Sequence, residues 1–363
     1  MRFVLMAIFA LQLSCRTTNS QDAEVNSASL PTGSPQEIVD QPVWNAYVAE
    51  EESRYEHQDA CRPASFRHRG SLRGLVVLLH GFTACAQQYF ELGPLLAAEG
   101  FDVLLPVNPG HGMIRGPKEW AHLPDHSTYK QKSPDFVANI NHIVRSYPAP
   151  VKVIGGLSLG ATYATAAIIA EPELYSRGLI MVPLYRMSGL IAHIVGGAKN
   201  VSNFSQKILP DAADHLIADA LSKKIGWGPK CGDEIRAGRQ GICDFNFTHL
   251  VAAQQFGWDL SKNHKIRGQL QFIAVENDPA VDNGRIKWFY EKKVESKQSQ
   301  AALCFYPQGA NHSLASRYDA YEQKKFWMND FQRDLVAFVS RGKFFRTDTS
   351  RIDGYPKCAS PKS

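Results

Sequence analysis

The feature that most constrains the fold is the stretch VKVIGGLSLGATYATAAIIA, which begins at Val151. An apolar run typical of a buried strand passes directly into an apolar helical pattern, and Ser158 stands at the junction between Gly156 and Gly160. A strand that turns this sharply into a helix needs neighbouring residues without side chains. The pattern therefore predicts a strained strand–serine–helix turn, with the serine Oγ clear of the sheet edge and the helix N-terminus directed at the same place.

Strands and helices alternate on both sides of this turn. The predicted strands are LRGLVVLLHG, FDVLLPV, VKVIGGL, RGLIMVPLY, GQLQFIAVEND and AALCFYP, and the predicted helices include AQQYFELGPLLAAEG, SPDFVANINHIVRSY, GRIKWFYEKKVESK and Lys325–Ser340. Ser133 is expected to cap the second of these helices, with Pro134 at its first position. Near-continuous apolar strands alternating with helices indicate an α/β fold with a mostly parallel central sheet covered on both faces.

One long segment interrupts this alternation. Residues 186–267 carry helical patterns, two cysteines and glycine-rich turns but no strong strand signal. A segment of roughly 80 residues is too long for a connecting loop, so a helical cap insertion is predicted here. The core is then expected to comprise residues 43–185 and 268–345, followed by a C-terminal tail at 346–363.

The N-terminus has the layout of an export signal. MRFVLMAIFALQLSC contains Arg2, then an apolar core from Phe3 to Leu13, then Cys15, and it is too short to span a bilayer as a mature helix. A cysteine directly after the apolar core resembles the lipobox of bacterial lipoproteins, although Gln12 stands where that pattern has leucine. Residues 1–15 are therefore predicted to direct export to a bacterial cell envelope with a lipid anchor at Cys15, or secretion if the cysteine is incidental.

The segment after the signal is polar, and the charge of the whole chain bears on which partners it can bind. Residues 16–42 are rich in Ser, Thr, Asn and Pro and lack aromatic residues, which is typical of a flexible linker. The net charge of +5 is small, and no block of basic residues interleaved with aromatics occurs. Nucleic-acid binding is therefore not expected.

The cysteine count is consistent with export. Apart from Cys15, six cysteines remain, an even number that suits an oxidising compartment. The preferred pairing joins Cys231 with Cys243 as a local loop link and Cys304 with Cys358 to hold the tail against the last strand, which leaves Cys61 with Cys85. The alternative is six reduced, buried thiols.

A serine hydroxyl becomes a strong nucleophile only beside a base. In a sheet of this kind the partners follow in the order serine, acid, histidine. His312, in YPQGANHSL, is the only histidine downstream of ENDPAVD and is predicted to be the general base. Asp278 is the preferred acid because it comes just past a strand end before Pro279, while Glu276 and Asp282 remain alternatives.

A tetrahedral oxyanion also needs hydrogen-bond donors. One is predicted to be the backbone N–H of Leu159, the residue after the nucleophile. The other is expected from the loop LLHGFTAC after the first apolar strand, where Gly81 allows close approach and the N–H of Phe82 would point into the site. His80, at the strand end, is interpreted as structural rather than catalytic.

The stretch VVLLHGFTACAQQYFELGPLLAAEGFDVLLPVNPGHG, together with GGLSLG, resembles the α/β-hydrolase superfamily. Within it, the sequence is most similar to carboxylesterases and monoacylglycerol lipases, including the serine aminopeptidase S33 group. The resemblance extends over about Leu72 to Ser340, apart from the insertion. It implies a cap over an acyl pocket, and it implies these roles: Ser158 as nucleophile, Asp278 and His312 as its partners, and Phe82 and Leu159 as the oxyanion hole.

These patterns favour a serine hydrolase that cleaves small-molecule carboxylic esters, either acyl esters or monoglyceride-like substrates. An amidase or aminopeptidase of the same fold and a non-catalytic binding protein are the alternatives. No cofactor and no metal are expected: His122, Asp125 and His126 in HLPDH could imitate a metal site, but no third partner stands out. The oligomeric state is not predicted by any of these features.

Overall fold

A computed structural model describes residues 39–57, 59–82, 84–112, 126–189, 247–307, 312, 314–315, 327–347 and 355–359. Its strands are β1 (Ala64–Phe66), β2 (Gly74–Leu79), β3 (Phe101–Leu105), β4 (Lys152–Leu157), β5 (Arg177–Met181), β6 (Ile266–Val275), β7 (Val294–Tyr306) and β8 (Lys357–Cys358). The predicted signal segment and nearly all of the predicted linker lie outside the described residues.

The strands form one sheet in the order β1-β3-β2-β4-β5-β6-β7-β8. All neighbouring pairs from β3 to β7 are parallel, whereas β1 and β8 pair antiparallel at the two edges. Every residue of β2 and β3 is buried, as expected for parallel strands covered on both faces. The predicted mostly parallel α/β fold is confirmed, and the loops after β2, β4, β6 and β7 meet at the carboxyl edge of the sheet.

The described helices are α1 (Pro42–Arg54), α2 (Leu92–Ala98), α3 (His126–Ser146), α4 (Leu159–Ala170), α5 (Phe247–Asn263), α6 (Asn283–Lys293) and α7 (Met328–Arg341). Among the described residues, contacts with the core start at Val39, slightly before the predicted core boundary at residue 43. Val39 is buried and its N–H donates to Ser65 Oγ (3.1 Å), and the side chain of Gln41 caps α1. Among the described helices, none combines the length and apolar character needed to cross a bilayer.

Three predicted helices have different bounds in the structure. The first divides into a short 3-10 turn, Ala86–Tyr89, and α2, where Gly93 packs so close to the ring of Phe66 that a Cβ would lie 2.4 Å from it. Pro134 lies inside α3 instead of at its first position, because α3 begins at His126. Ser133 is buried with its hydroxyl 3.2 Å from that of Tyr163 and does not act as a cap.

The third change concerns α6, which ends at Lys293, so that β7 begins at Val294 in a stretch predicted to be helical. Val294 pairs with Ile266, and an irregularity in register precedes the regular pairing that starts at Gly268 and Ser299. Pairing with the long strand β6 therefore overrides the helical pattern of the polar residues that follow α6.

Most of the predicted cap insertion lies outside the described residues. Its last part forms α5, which packs on the core: a Cβ on Gly257 would lie 1.8 Å from the carbonyl oxygen of Leu184, and Gln254 Oε1 accepts the N–H of Met187 (3.0 Å). The separation of a cap from the core stays a prediction.

Two of the three preferred disulfides are confirmed, Cys61–Cys85 and Cys304–Cys358. The second joins facing residues of β7 and β8 and holds the C-terminal strand at the sheet edge, as predicted. Cys231 and Cys243 lie outside the described residues.

Candidate active site

Ser158 lies between the end of β4 and the start of α4 in a backbone conformation that side chains rarely adopt, with φ 57° and ψ −115°. The glycines on either side of it have no space for a side chain. A Cβ on Gly156 would lie 2.3 Å from the carbonyl carbon of Gly160, and a Cβ on Gly160 would lie 1.9 Å from the carbonyl oxygen of Leu79. A strained residue held by its surroundings is a frequent mark of a functional site.

Backbone hydrogen bonds hold this turn against the next strand. The N–H of Ser158 donates to the carbonyl of Met181 (2.9 Å), and the N–H of Leu184 donates to the carbonyl of Ser158 (3.1 Å). The side chain of Ser158 is only 2% exposed, and its Oγ makes no hydrogen bond with the residues the structure describes. Leu159 is the first residue of α4, so its N–H has no acceptor within the helix.

Asp278 and His312 form a buried pair beyond the ends of β6 and β7. His312 Nδ1 lies 2.9 Å from Asp278 Oδ2 and 3.1 Å from Oδ1. Asp278 Oδ1 also accepts the N–H groups of Ala280 (2.7 Å) and Val281 (3.2 Å), and Asn277 before it has φ 52°. A carboxylate with these donors keeps the imidazole proton on Nδ1, which leaves Nε2 as the basic nitrogen.

The two other candidate acids make different contacts. Glu276 accepts hydrogen bonds from the hydroxyl of Tyr355 and from Lys357 (3.4 Å). Asp282 caps α6 through the N–H of Arg285 (3.2 Å) and forms an ion pair with Arg186 (3.3 Å). Of the three acids, the structure brings Asp278 to the histidine.

The loop after β2 runs beside the serine. A Cβ on Gly81 would lie 3.6 Å from Ser158 Cβ, so the backbone on the amino side of Phe82 is adjacent to the turn. The N–H of Gly81 donates to Gln88 Oε1 (2.9 Å), and its carbonyl accepts from Ala84 (3.2 Å). Phe82 itself is buried. We call the described residues 80–82 and 84–85 the oxyanion loop, after the oxyanion donor predicted at Phe82.

His80 ties this loop to the loop after β3. Its Nδ1 donates to the carbonyl of Gly81 (2.9 Å), and its Nε2 accepts the backbone N–H of Asn108 (2.9 Å). Asn108 Nδ2 donates in return to the carbonyl of His80 (2.7 Å). Because burial lowers the pKa of His80 to about 4, the ring stays neutral with its proton on Nδ1.

Sequence reasoning assigned His80 a structural role but missed Asn108. The available signal was the position of Asn108, three residues past the end of β3, which lies next to β2 in the sheet. Within the described part of the chain, no group of three potential metal ligands comes together. His122 and Asp125 of the HLPDH stretch lie outside that part.

The strand order, the strained serine turn and the Asp278–His312 pair belong to the α/β-hydrolase fold. The family model described as "Serine aminopeptidase, S33" matches residues 70–316, and the chain belongs to that family.

Several known proteins are similar to this chain. A monoacylglycerol lipase from Mycolicibacterium smegmatis is 27% identical over 152 residues, which are 42% of this chain and 51% of that protein, so the chain spans about half the length of this curated relative. The crystal structure of the monoacylglycerol lipase of Paleococcus ferrophilus has a TM-score of 0.52 at 17% identity and covers 77% of this chain and 98% of its own.

A soluble variant of monoglyceride lipase from Saccharomyces cerevisiae, crystallised with a substrate analogue, has a TM-score of 0.51 at 17% identity and covers 78% of this chain and 93% of its own. At these identities the two structural comparisons establish the fold.

Proposed function

We propose that this protein is a serine hydrolase that cleaves carboxylic esters through an acyl-enzyme on Ser158. The observation that carries the proposal is the buried Asp278–His312 pair, which lies at the same edge of the sheet as the strained serine. Asp278 orients the imidazole through Nδ1, so that Nε2 serves as the general base. Ser158 and His312 are both buried, 2% and 4% exposed, and the proposed reaction requires His312 Nε2 within hydrogen-bond reach of Ser158 Oγ.

In the first half of the reaction, His312 Nε2 takes the proton of Ser158 as Oγ attacks the ester carbonyl. The negative charge then moves to the carbonyl oxygen, where the N–H groups of Phe82 and Leu159 would donate hydrogen bonds to it. Collapse of this intermediate breaks the ester C–O bond, and the imidazolium returns its proton to the departing alcohol. The acyl group remains on Ser158.

In the second half, water replaces the alcohol. His312 removes a proton from the water as its oxygen attacks the acyl-enzyme, and the same two N–H groups receive the oxyanion. The acid is released as Ser158 regains its proton. Asp278 stabilises the imidazolium in both halves of the reaction.

Acyl esters and monoacylglycerols are the proposed substrates. The relatives at sequence and structure level include proteins named monoacylglycerol lipase and monoglyceride lipase, which supports this class. The predicted cap would cover the acyl group.

A fluorophosphonate probe tests the mechanism, since it forms a P–O bond with an activated serine and releases fluoride. Intact mass spectrometry should show one adduct on the wild type, none on Ser158→Ala, and one on Ser176→Ala, which removes an exposed serine. The wild type should hydrolyse short-chain p-nitrophenyl esters and monoacylglycerols, whereas Ser158→Ala should not. Folded wild-type protein without adduct and without turnover would favour a non-catalytic binding protein.

An amidase or aminopeptidase is the second candidate, since the family itself is described as a serine aminopeptidase. The same acyl-enzyme would form, but the leaving group would be an amine. Comparison of kcat/KM for alanine or proline anilides with that for esters separates the two. Faster anilide hydrolysis would favour the aminopeptidase.

We also propose that the protein is exported and anchored by a lipid at Cys15. The lipobox-like sequence supports this, and so do two disulfides in the folded part. Expression in a bacterium should place the protein in the membrane fraction with a mature N-terminus at Cys15 and added acyl mass. The Cys15→Ser variant should move to the soluble envelope fraction. Wild-type protein that is absent from the membrane fraction and cleaved at another residue would contradict the lipid anchor.

A further inference from the structure

The Cys61–Cys85 disulfide lies next to the oxyanion loop. Cys85 is three residues after Phe82 and immediately precedes the 3-10 turn Ala86–Tyr89. Cys61 ends another 3-10 turn, Asp59–Cys61, just before the edge strand β1. Both cysteines are fully buried, and their Cα atoms are 5.1 Å apart. The bond therefore links the end of the oxyanion loop to a segment two strands away in the sheet.

The other contacts of the oxyanion loop are mostly local. Gly81 bonds to Gln88 and Ala84, both within seven residues of it. At its start, the loop is attached to a distant segment through His80 and Asn108. At its end, the disulfide attaches the loop covalently to another distant segment.

Cys61 also packs against the loop that supports Phe82 from the side. A Cβ on Gly112 would lie 2.9 Å from the carbonyl oxygen of Cys61 and 3.0 Å from its Cβ, so these backbones are in close contact. The neighbouring His111 places its ring 5.6 Å from the ring of Phe82 and 5.1 Å from that of His80. Cys61 thus contacts both Cys85, at the end of the oxyanion loop, and Gly112, the residue after the histidine that packs on Phe82.

We propose that the Cys61–Cys85 disulfide positions the oxyanion donor at Phe82, and that its loss lowers transition-state stabilisation while ester binding is preserved. This proposal rests on the proposed function. Its physical basis is that an oxyanion donor acts only when it is fixed at the place where charge develops. Without the disulfide, the loop keeps its attachment at His80 but loses the one at Cys85.

The second disulfide provides a matched control. Cys304–Cys358 is also buried on its Cys304 side, but it joins β7 to β8 at the outer edge of the sheet. Loss of either bond should lower thermal stability, because each constrains the unfolded chain. Only loss of Cys61–Cys85 should affect the oxyanion.

The experiment compares Cys61→Ala/Cys85→Ala with Cys304→Ala/Cys358→Ala below the melting temperature of each. The first should lower kcat for a p-nitrophenyl ester about 10- to 100-fold, with KM within about threefold of wild type. The inhibition constant of an aryl trifluoromethyl ketone, whose hemiketal carries an oxyanion, should rise by a similar factor. The second variant should keep all three constants within about threefold.

If the first variant does not fold, Cys61→Ala/Cys85→Val refills the volume of the disulfide. The same comparison can also be made on folded wild-type protein that is partly reduced with dithiothreitol and then alkylated. Peptide mass mapping identifies the alkylated cysteines, and the affinity for the ketone should fall as Cys61 and Cys85 become alkylated. Unchanged kcat and ketone affinity with this bond open would overturn the proposal, as would an equal loss in the Cys304–Cys358 variant. Absence of wild-type ester turnover or of a Ser158 adduct would instead refute the proposed function.

Discussion

The serine turn and the oxyanion loop lie side by side but are held in place by different means. Main-chain atoms of neighbouring strands surround the turn: Met181 and Leu184 bond to Ser158, and the carbonyl of Leu79 leaves space only for glycine at position 160. The oxyanion loop depends on side chains from distant segments, namely Asn108 through His80 and Cys61 through Cys85. The proposed nucleophile is therefore positioned by the sheet itself, and the proposed oxyanion donor by contacts that substitution can remove individually.

The largest effect is expected from Asp278→Asn. The amide would fill the same space and could still accept the N–H groups of Ala280 and Val281, so the fold should persist. It would no longer hold the imidazole of His312 in the tautomer with a basic Nε2. We expect kcat for an ester to fall about 10⁴-fold, or about 5.5 kcal/mol, as measured by steady-state kinetics.

The matched control is Glu276→Gln, two residues away. Glu276 bonds to Tyr355 and Lys357 instead of the histidine, so kcat should stay within about threefold of wild type. Retention of more than a tenth of wild-type kcat by Asp278→Asn would argue against Asp278 as the acid.

The next largest effect is expected from Gly160→Ala. The added Cβ would lie 1.9 Å from the carbonyl oxygen of Leu79, an overlap with backbone that no rotamer can relieve. We expect the free energy of unfolding to fall by more than about 4 kcal/mol, seen as insoluble protein or as a large shift in a urea titration. A soluble variant with a near wild-type midpoint would show that the turn tolerates displacement.

The serine turn and the oxyanion loop also differ in how well the sequence predicts them. The turn was predictable because its requirements are local: two glycines and a serine between an apolar strand and an apolar helix. The order of acid and histidine after it limited the base to His312 and the acid to three neighbours. Of these three, Asp278 is the residue that contacts His312 in the structure, and its catalytic role stays a prediction.

The contacts of the oxyanion loop were less predictable. Asn108 reaches His80 only because β3 lies beside β2, a neighbourhood that depends on strand order and not on any local pattern. The predicted bounds of two helices were wrong for a similar reason, because tertiary contacts outweigh local capping and periodicity. These contacts are the burial of Ser133 beside Tyr163 and the pairing of Val294 with Ile266.

A smaller effect concerns His80 and pH. Because burial lowers its pKa to about 4 from 6.5, the folded state binds fewer protons than the unfolded state between these values, and stability is lost as the pH falls through this range. This difference in pKa corresponds to about 3 kcal/mol in the free energy of unfolding.

His80→Gln removes this titration and retains an acceptor for Asn108. From pH 7 to pH 4, wild type should lose about 3 kcal/mol more free energy of unfolding than the variant, as measured by urea titration at each pH. Parallel losses in the two proteins would show that His80 titrates in the folded state with the same pKa as in the unfolded chain.

The smallest effect is expected from Gly81→Ala, the counterpart of Gly160→Ala in the oxyanion loop. Its Cβ would lie 3.2 Å from Leu157 Cδ2, which can shift, and 3.6 Å from Ser158 Cβ. The variant should fold with less than about 1 kcal/mol lost, but the shift of Leu157, which immediately precedes the serine, should lower kcat about tenfold, or about 1.4 kcal/mol. Urea titration and steady-state kinetics measure the two quantities on one preparation. A loop held mainly by side chains and a disulfide can shift to accommodate one added methyl group. If Gly81→Ala were as destabilising as Gly160→Ala, the oxyanion loop would instead be held by the sheet as rigidly as the serine turn is.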